Sequence, residues 1–433
     1  MRKAILTSLA AGFLALTPGH ALAAPDGFIS YKVKPADTLY GLTKDYLVNA
    51  AALEEVRRIN RVRNPRLMQI GKTLRIPRRL LKHKPARLSV ESFSGRVSLV
   101  NGRQTLAAKR GLALLEGVEI TTGRNSFVAI AGDGNSSVSI PSNSRVRIID
   151  ARRYLINDQI DVQLRVLEGR GEVIAPTIEG DGRYRVGTPI AVTAVRGTGF
   201  RVGFLPDGDL SLTEVVEGEV FVAAGEEEQA TKAGFGLAAR QDGLGEQERL
   251  LPAPELIDPG RIQTDALARF AITPLEGAVG YRTQISRDAG FIDIVTELVD
   301  EAQQADFAEI EDGRYFVRTR AVSASGLEGF SKVHSFRRKR AGVEASAEPS
   351  GLEDAFKFAW RAQGEGDVYY GFQLWNAEEE SALIVDEVGM RETAVLVSKL
   401  APGTYRWRVA SFQIDEGDVI KVWGPVQELS ITE

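Results

Sequence analysis

The sequence predicts a mainly β, multidomain protein: a small α+β head of βααβ order, an all-β domain, and two tandem β-sandwiches. Three observations carry this expectation. Tyr31 to Pro77 reads as strand, helix, helix, strand. Beyond Leu88, short alternating runs recur with Gly and Asn turns at about ten-residue spacing, the mark of an all-β domain. Beyond Leu251, the sequence repeats itself at a period of 88 to 90 residues. A chain of 433 residues also exceeds one ordinary core and should divide into about three or four domains.

The first residues, MRKAILTSLAAGFLALTPGHALA, combine Arg2 and Lys3, an apolar run from Ala4 to Leu16, Pro18, and the small-x-small pattern Ala21-Leu22-Ala23. This is the pattern of a secretory signal peptide, residues 1–23. The run is shorter than the roughly 18 to 20 apolar residues a membrane span needs. No later stretch reaches that length without a charge or Pro, so no transmembrane segment is expected after cleavage. The expected location is the periplasm or cell envelope.

Removing the signal takes the formal net charge from −4 to −6, which argues against a nucleic-acid partner. There is no Cys, so the exported chain has no disulfide, no thiolate nucleophile and no thiolate metal site. Charge is unevenly spread. Tyr31 to Arg87 holds fifteen Lys and Arg against four acids, whereas everything after Arg87 sums to −16. A basic head on an acidic body is drawn to anionic surfaces at low salt; a solvated helix face followed by a basic linker accounts for the same run.

In the head, residues 28–78, Asp37 is placed to cap a helix with Leu39, Leu42 and Tyr46 on one face. Asn49 is placed to cap a second with Leu53, Val56 and Ile59. So small a core suits recognition better than catalysis. Tyr31-x-Val33, Asp37-Thr38-Leu39, Ile59-Asn60, Asn64-Pro65, Leu67, Ile70-Gly71-x-x-Leu74 and Ile76-Pro77 together resemble a LysM domain. The sequence departs from that family at Ala36, where Gly is usual, and at Gln69-Ile70-Gly71-Lys72, where a Pro-Gly-Gln turn is usual. The resemblance implies binding of N-acetylglucosamine glycans, in peptidoglycan or chitin. It implies a shallow groove lined by Ala36, Asp37, Thr38 and Leu39 on one side and Pro65, Leu67, Met68, Gln69 and Ile70 on the other.

Residues 79–87 read as a basic linker, and 88–248 as the all-β domain. Asp133-Gly134-Asn135 is a hairpin turn, without the spaced carboxylates of a calcium loop. Arg165–Ala175 and Glu214–Ala224 look like rough copies, each a Glu-Gly turn between alternating strands. Between them stands TPIAVTAVRGTGFRV. Its alternation on both sides excludes a phosphate loop, which needs a helix after the turn. The expectation is a strand interruption: Gly197 and Gly199 permit a bend, Phe200 enters the core, and Arg196 pairs with an acid or with backbone carbonyls. Ile120-Thr121-Thr122-Gly123, Thr188-Pro189, Val195-Arg196-Gly197-Thr198-x-Phe200 and Glu217-Gly218-x-Val220 resemble a FecR domain. The namesake of that family relays an iron signal through a membrane span; here a signal and a LysM-like module stand in the span's place.

Residues 252–340 and 344–432 form the repeat. Phe270 recurs as Phe358, Tyr281 as Tyr370, Gln284 as Gln373, Gly313 as Gly403, Tyr315 as Tyr405 and Arg318 as Arg408. The pair resembles fibronectin type III modules, with Leu400-x-Pro402-Gly403-x-Tyr405 as the tyrosine corner. Trp360 and Trp407 read as core; a sugar-stacking role for Trp375 or Trp423 is the lesser reading, since large aromatics usually pack.

Catalysis has little to stand on. Beyond the signal only His83 and His334 remain, one in the linker and one in the first sandwich, and there is no Gly-x-Ser-x-Gly elbow. No segment is left over for a lysozyme-like domain. The expectation is a protein without enzymatic activity, metal or cofactor, which binds peptidoglycan or a related N-acetylglucosamine polymer and an envelope protein partner. The alternatives are a periplasmic sensor acting through its FecR-like domain on a membrane partner and, behind it, a peptidoglycan hydrolase.

Overall fold

The computed structural model describes residues 27–195, 197–352, 354–379 and 382–432. The expected signal peptide and Arg196 lie outside these. The architecture is mainly β, and two short helices sit in the head.

In the head, β1 (Phe28–Lys32) pairs antiparallel with β2 (Thr73–Pro77). Alternation buries Ile29, Tyr31, Leu74 and Ile76 against α1 (Leu39–Tyr46) and α2 (Ala52–Ile59), which contribute Leu39, Leu42, Leu53 and Val56. The start of α1 differs from the sequence expectation: Thr38, not Asp37, is the cap. Thr38 has extended backbone and accepts the Gly41 N–H at 3.0 Å. Asp37 faces back instead, accepting the Tyr31 hydroxyl at 2.8 Å and the Lys34 N–H at 2.7 Å. Asn49 accepts the Ala52 N–H at 3.0 Å, although Ala51 holds the cap position of α2. At the other end of α2, Asn60 exchanges side-chain bonds with the backbone of Arg75, tying the helix to β2.

The basic segment after β2 is no loose linker, because its apolar residues complete the head. Leu80 and Leu81 are buried in the head's core, as are Tyr154 and Ile156 from the next domain. Each such side chain contributes on the order of 1.5–3 kcal/mol by leaving water. Arg78, also buried, bonds Asp161 at 3.2 Å, and His83–Pro85 pairs with Arg152–Tyr154.

From His83–Pro85 to Gly243–Arg249 the strands form one continuous hydrogen-bonded network, folded into two layers around one apolar core. The chain crosses between layers at sharp corners. Strand Ile160–Ile174 pairs with Arg183–Gly187 through its first half and with Gly199–Leu205 through its second. At the crossing stands Gly169, with φ +73° and no room for a Cβ, which would lie 2.4 Å from Ser144 Oγ. Gly218, φ +78°, is the corner between Leu210–Glu217 and Glu219–Ala224; a Cβ there would meet Thr198 Cγ2 at 2.7 Å. The two Glu-Gly segments that look like copies are therefore the same device used twice.

The first sandwich stacks a sheet of Leu256–Ile257, Ala268–Ile272 and Gln304–Phe307 on one ordered Ile294–Asp300, Ala278–Ser286, Gly313–Ser323, Glu328–Arg338. The second repeats that order, with Gly342–Pro349, Ala355–Gln363 and Ala394–Ser398 facing Leu383–Met390, Val368–Asn376, Gly403–Asp415 and Asp418–Trp423. The Tyr405 hydroxyl donates to the Ala401 carbonyl at 2.8 Å, closing the tyrosine corner. Trp360 and Trp407 lie in the core with Phe358 and Phe372.

The all-β domain and the first sandwich share a buried charge cluster. Glu214, 0% exposed, accepts from Arg170 at 2.7 Å and Arg201 at 2.8 Å. Glu328 pairs with Arg170, Arg282 and Arg320, and Glu172 with Arg318 and Arg320. Burial alone would push the Glu328 carboxyl up, but the surrounding guanidinium groups outweigh it and hold the group well below the usual carboxylate range. Apolar contacts flank the cluster: Phe127 with Phe291 and Ile294, and Leu212 with Leu250 and Leu327.

Candidate functional site in the head

Two loops of the head lie side by side. The Leu39 N–H donates to the Pro65 carbonyl at 2.8 Å, stitching the entry to α1 against the loop that precedes β2. Ala36 is exposed, with φ +69°, in a left-handed turn that a non-glycine residue enters at some cost. The glycine usual here in LysM sequences is thus the residue the backbone prefers. The turn is held by Asp37, and burial together with that carboxylate pushes the Tyr31 hydroxyl above its ordinary range, keeping it a donor.

The predicted residues fall into two sets. Ala36, Leu67, Gln69 and Ile70 are exposed, Leu67 at 78% and Ile70 at 63%, while Asp37, Thr38, Pro65 and Met68 are half-buried. Leu39 is different, since its side chain is fully buried in the core. It therefore offers no side chain to the expected groove. Met68 packs its side against the same core. The result is a strip of backbone polar groups and hydroxyls beside two uncovered aliphatic side chains, the mixture that holds the polar edge and apolar face of a sugar. Tyr40, which sequence reasoning passed over, is 52% exposed on the first turn of α1. An aromatic residue directly after a core position at a helix start was the available signal.

The remaining expected residues lie elsewhere. Thr188 is buried, and its hydroxyl accepts the Ala191 N–H at 3.0 Å and bonds Ser211 at 3.0 Å. Pro189 beside it is exposed. Gly197 has φ +82°, Thr198 and Phe200 are buried, and a register shift falls between Gly199 and Phe200. This turn carries the chain from the layer of Val192–Val195 to that of Gly199–Leu205. His83 is exposed and stands edge-on to Tyr154, while His334 is half-buried in the first sandwich. Among the described residues no group of three or more His, Asp or Glu is arranged to hold a metal. No helix among them is long and apolar enough to cross a membrane.

The recurring Arg and Gln of the sandwiches have a counterpart role that sequence alone did not show. Arg318 Nε donates to Gln284 and Arg408 Nε to Gln373, each at 2.9 Å, and each Gln donates on to an acid, Glu297 or Asp386. In the first sandwich this face is covered by the all-β domain. In the second, Arg408 lies over the rings of Trp423 and Trp375, 4.1 and 5.9 Å from their centroids.

Two family models match parts of the chain. The LysM domain family matches residues 31–77 and the FecR protein family residues 118–221. The chain thus contains a LysM domain, from a glycan-binding family, and a FecR domain, from a family of regulators. Among solved structures, a putative anti-sigma factor from Parabacteroides distasonis ATCC 8503 is similar at 18% identity over 30% of this chain, with TM-score 0.26. The chain spans 59% of that protein's length. The CNTN1 FN1-FN3 domains of chicken match at 15% identity, covering 58% of this chain and 98% of theirs, with TM-score 0.21. A two-domain fibronectin type III segment of chicken tenascin matches at 14%, covering 42% and 99%, with TM-score 0.21. No curated protein matches the chain.

Proposed function

We propose that this is an exported, non-enzymatic protein of the cell envelope. It binds the N-acetylglucosamine glycan of peptidoglycan through the head, while the FecR domain and the sandwiches serve as protein-interaction modules. The observation that carries this reading is the stitched pair of loops with Leu67 and Ile70 uncovered beside it. A soluble domain this small leaves two aliphatic side chains in water at one spot where a ligand covers them. The second reading, a periplasmic regulator acting on a membrane partner, draws on the FecR match over residues 118–221.

Deleting the head would expose the core it shares with Tyr154 and Ile156, so point variants are the sounder test. In a pull-down on purified sacculi, the mature protein is expected in the pellet and Leu67→Asp/Ile70→Asp in the supernatant, with unchanged circular dichroism. Equal retention of the two removes the groove from the glycan-binding role. Recovery of a transmembrane protein by cross-linking, with no retention on sacculi, favours the regulator.

A further inference from the structure

The two polymers that an N-acetylglucosamine groove accepts differ in charge: chitin is neutral, whereas peptidoglycan carries the carboxylates of its peptide stems. Building on the glycan-binding reading above, we propose that a basic margin of the groove, Arg58, Arg61, Arg63 and Arg66, selects the carboxylate-bearing polymer.

All four side chains are exposed, and among the described residues none has an acidic partner. Three of the head's four acids are engaged elsewhere. Glu54 pairs with Arg57 at 2.8 Å, Glu55 pairs with Arg79, and Asp37 clamps its turn. Asp45 belongs to α1. The four arginines follow one another from the end of α2 to the groove itself, where Arg66 stands between Pro65 and Leu67. Arg61 is four residues from Pro65, hence within about 14 Å of it even if the chain were extended.

The backbone that presents them is fixed. Val62 is buried and its N–H donates to the Arg57 carbonyl at 3.0 Å; Asn64 Oδ1 accepts the Arg66 N–H at 2.9 Å. Between α2 and this turn lies an open concavity of about 730 Å³, bordered by Arg57, Arg58, Arg61 and Arg63 together with Glu54 and Glu55, the two acids already paired with Arg57 and Arg79. Planar guanidinium groups bind carboxylates in a two-pronged manner, so unpaired arginines beside a sugar groove suit a glycan with acidic branches. The body behind Arg87, at −16, is repelled by the same polymer, so approach is head first.

Binding of the mature protein is measured to intact phosphate-free sacculi, to the same sacculi with their carboxylates converted to amides by carbodiimide and ammonia, and to chitin hexamer, at low and high salt. Wild type is expected to bind intact sacculi at least about tenfold more tightly than either ligand that lacks carboxylates at low salt, the excess fading as salt screens it. Arg58→Glu/Arg61→Glu/Arg63→Glu/Arg66→Glu should lose that excess yet bind chitin hexamer as wild type does, and the four Lys replacements should restore part of it. Equal, salt-independent affinity for all three ligands overturns the proposal and leaves the groove reading standing. A charge-reversed variant that keeps the full preference for sacculi also overturns it. If wild type binds none of the three, the glycan-binding reading itself falls.

Discussion

The residues that cost most to disturb lie where charge meets burial. Glu214 is fully enclosed between Arg170 and Arg201, and it also accepts the Glu328 N–H at 2.9 Å. Removing it leaves two guanidinium groups facing a carboxylate that is gone. Glu214→Ala is expected to lower unfolding stability by about 3–5 kcal/mol, read from the urea midpoint. Exposed Glu54, paired with Arg57 one helical turn away, should cost under about 1 kcal/mol when changed to Ala. Equal losses at the two positions would show that the interdomain cluster contributes no more than a surface pair. None of these partners was legible in the sequence, because Glu214 meets Glu328 across 114 positions and charge spacing reports only near neighbours.

Single elements show how much the sequence did convey. The βααβ order, the head's apolar positions and the turn at Asp133-Gly134-Asn135 were legible, since each rests on local periodicity or turn chemistry. The cap of α1 was misplaced by one residue, because Asp37 and Thr38 are both good caps and the choice falls to Tyr31, whose hydroxyl draws the Asp37 carboxylate away. Leu39 was placed in the groove by its position in the motif, while packing sends its side chain inward. The Glu-Gly corners were visible as repeats, but their task as layer crossings needed the pairing of distant strands. Gly218→Ala tests that task. With φ +78° and Thr198 Cγ2 at 2.7 Å from the added Cβ, it should cost at least about 1 kcal/mol, whereas Gly225→Ala, with positive φ but open space, should cost less. Equal melting temperatures for the two variants would remove the corner argument.

At the scale of the molecule, the first three domains are joined through buried contacts rather than strung on linkers. The head shares its core with Tyr154 and Ile156, and the all-β domain shares its charge cluster with the first sandwich. Tyr154→Ala, in the all-β domain, is therefore expected to destabilise the head by about 3–5 kcal/mol and to speed amide exchange in α1 and α2. Exchange quickened only near residue 154 would mean that the head stands alone. The second sandwich is joined more openly, with Arg337 bridging Asp415 and Asp418, and Arg314 bridging exposed Glu416. A core shared across a domain boundary has a mechanical meaning. On the proposed glycan-binding reading, tension or torque on a strand held by the head passes into the body instead of being spent in a flexible neck. Each copy so seated would hold its first sandwich at one set angle to the groove.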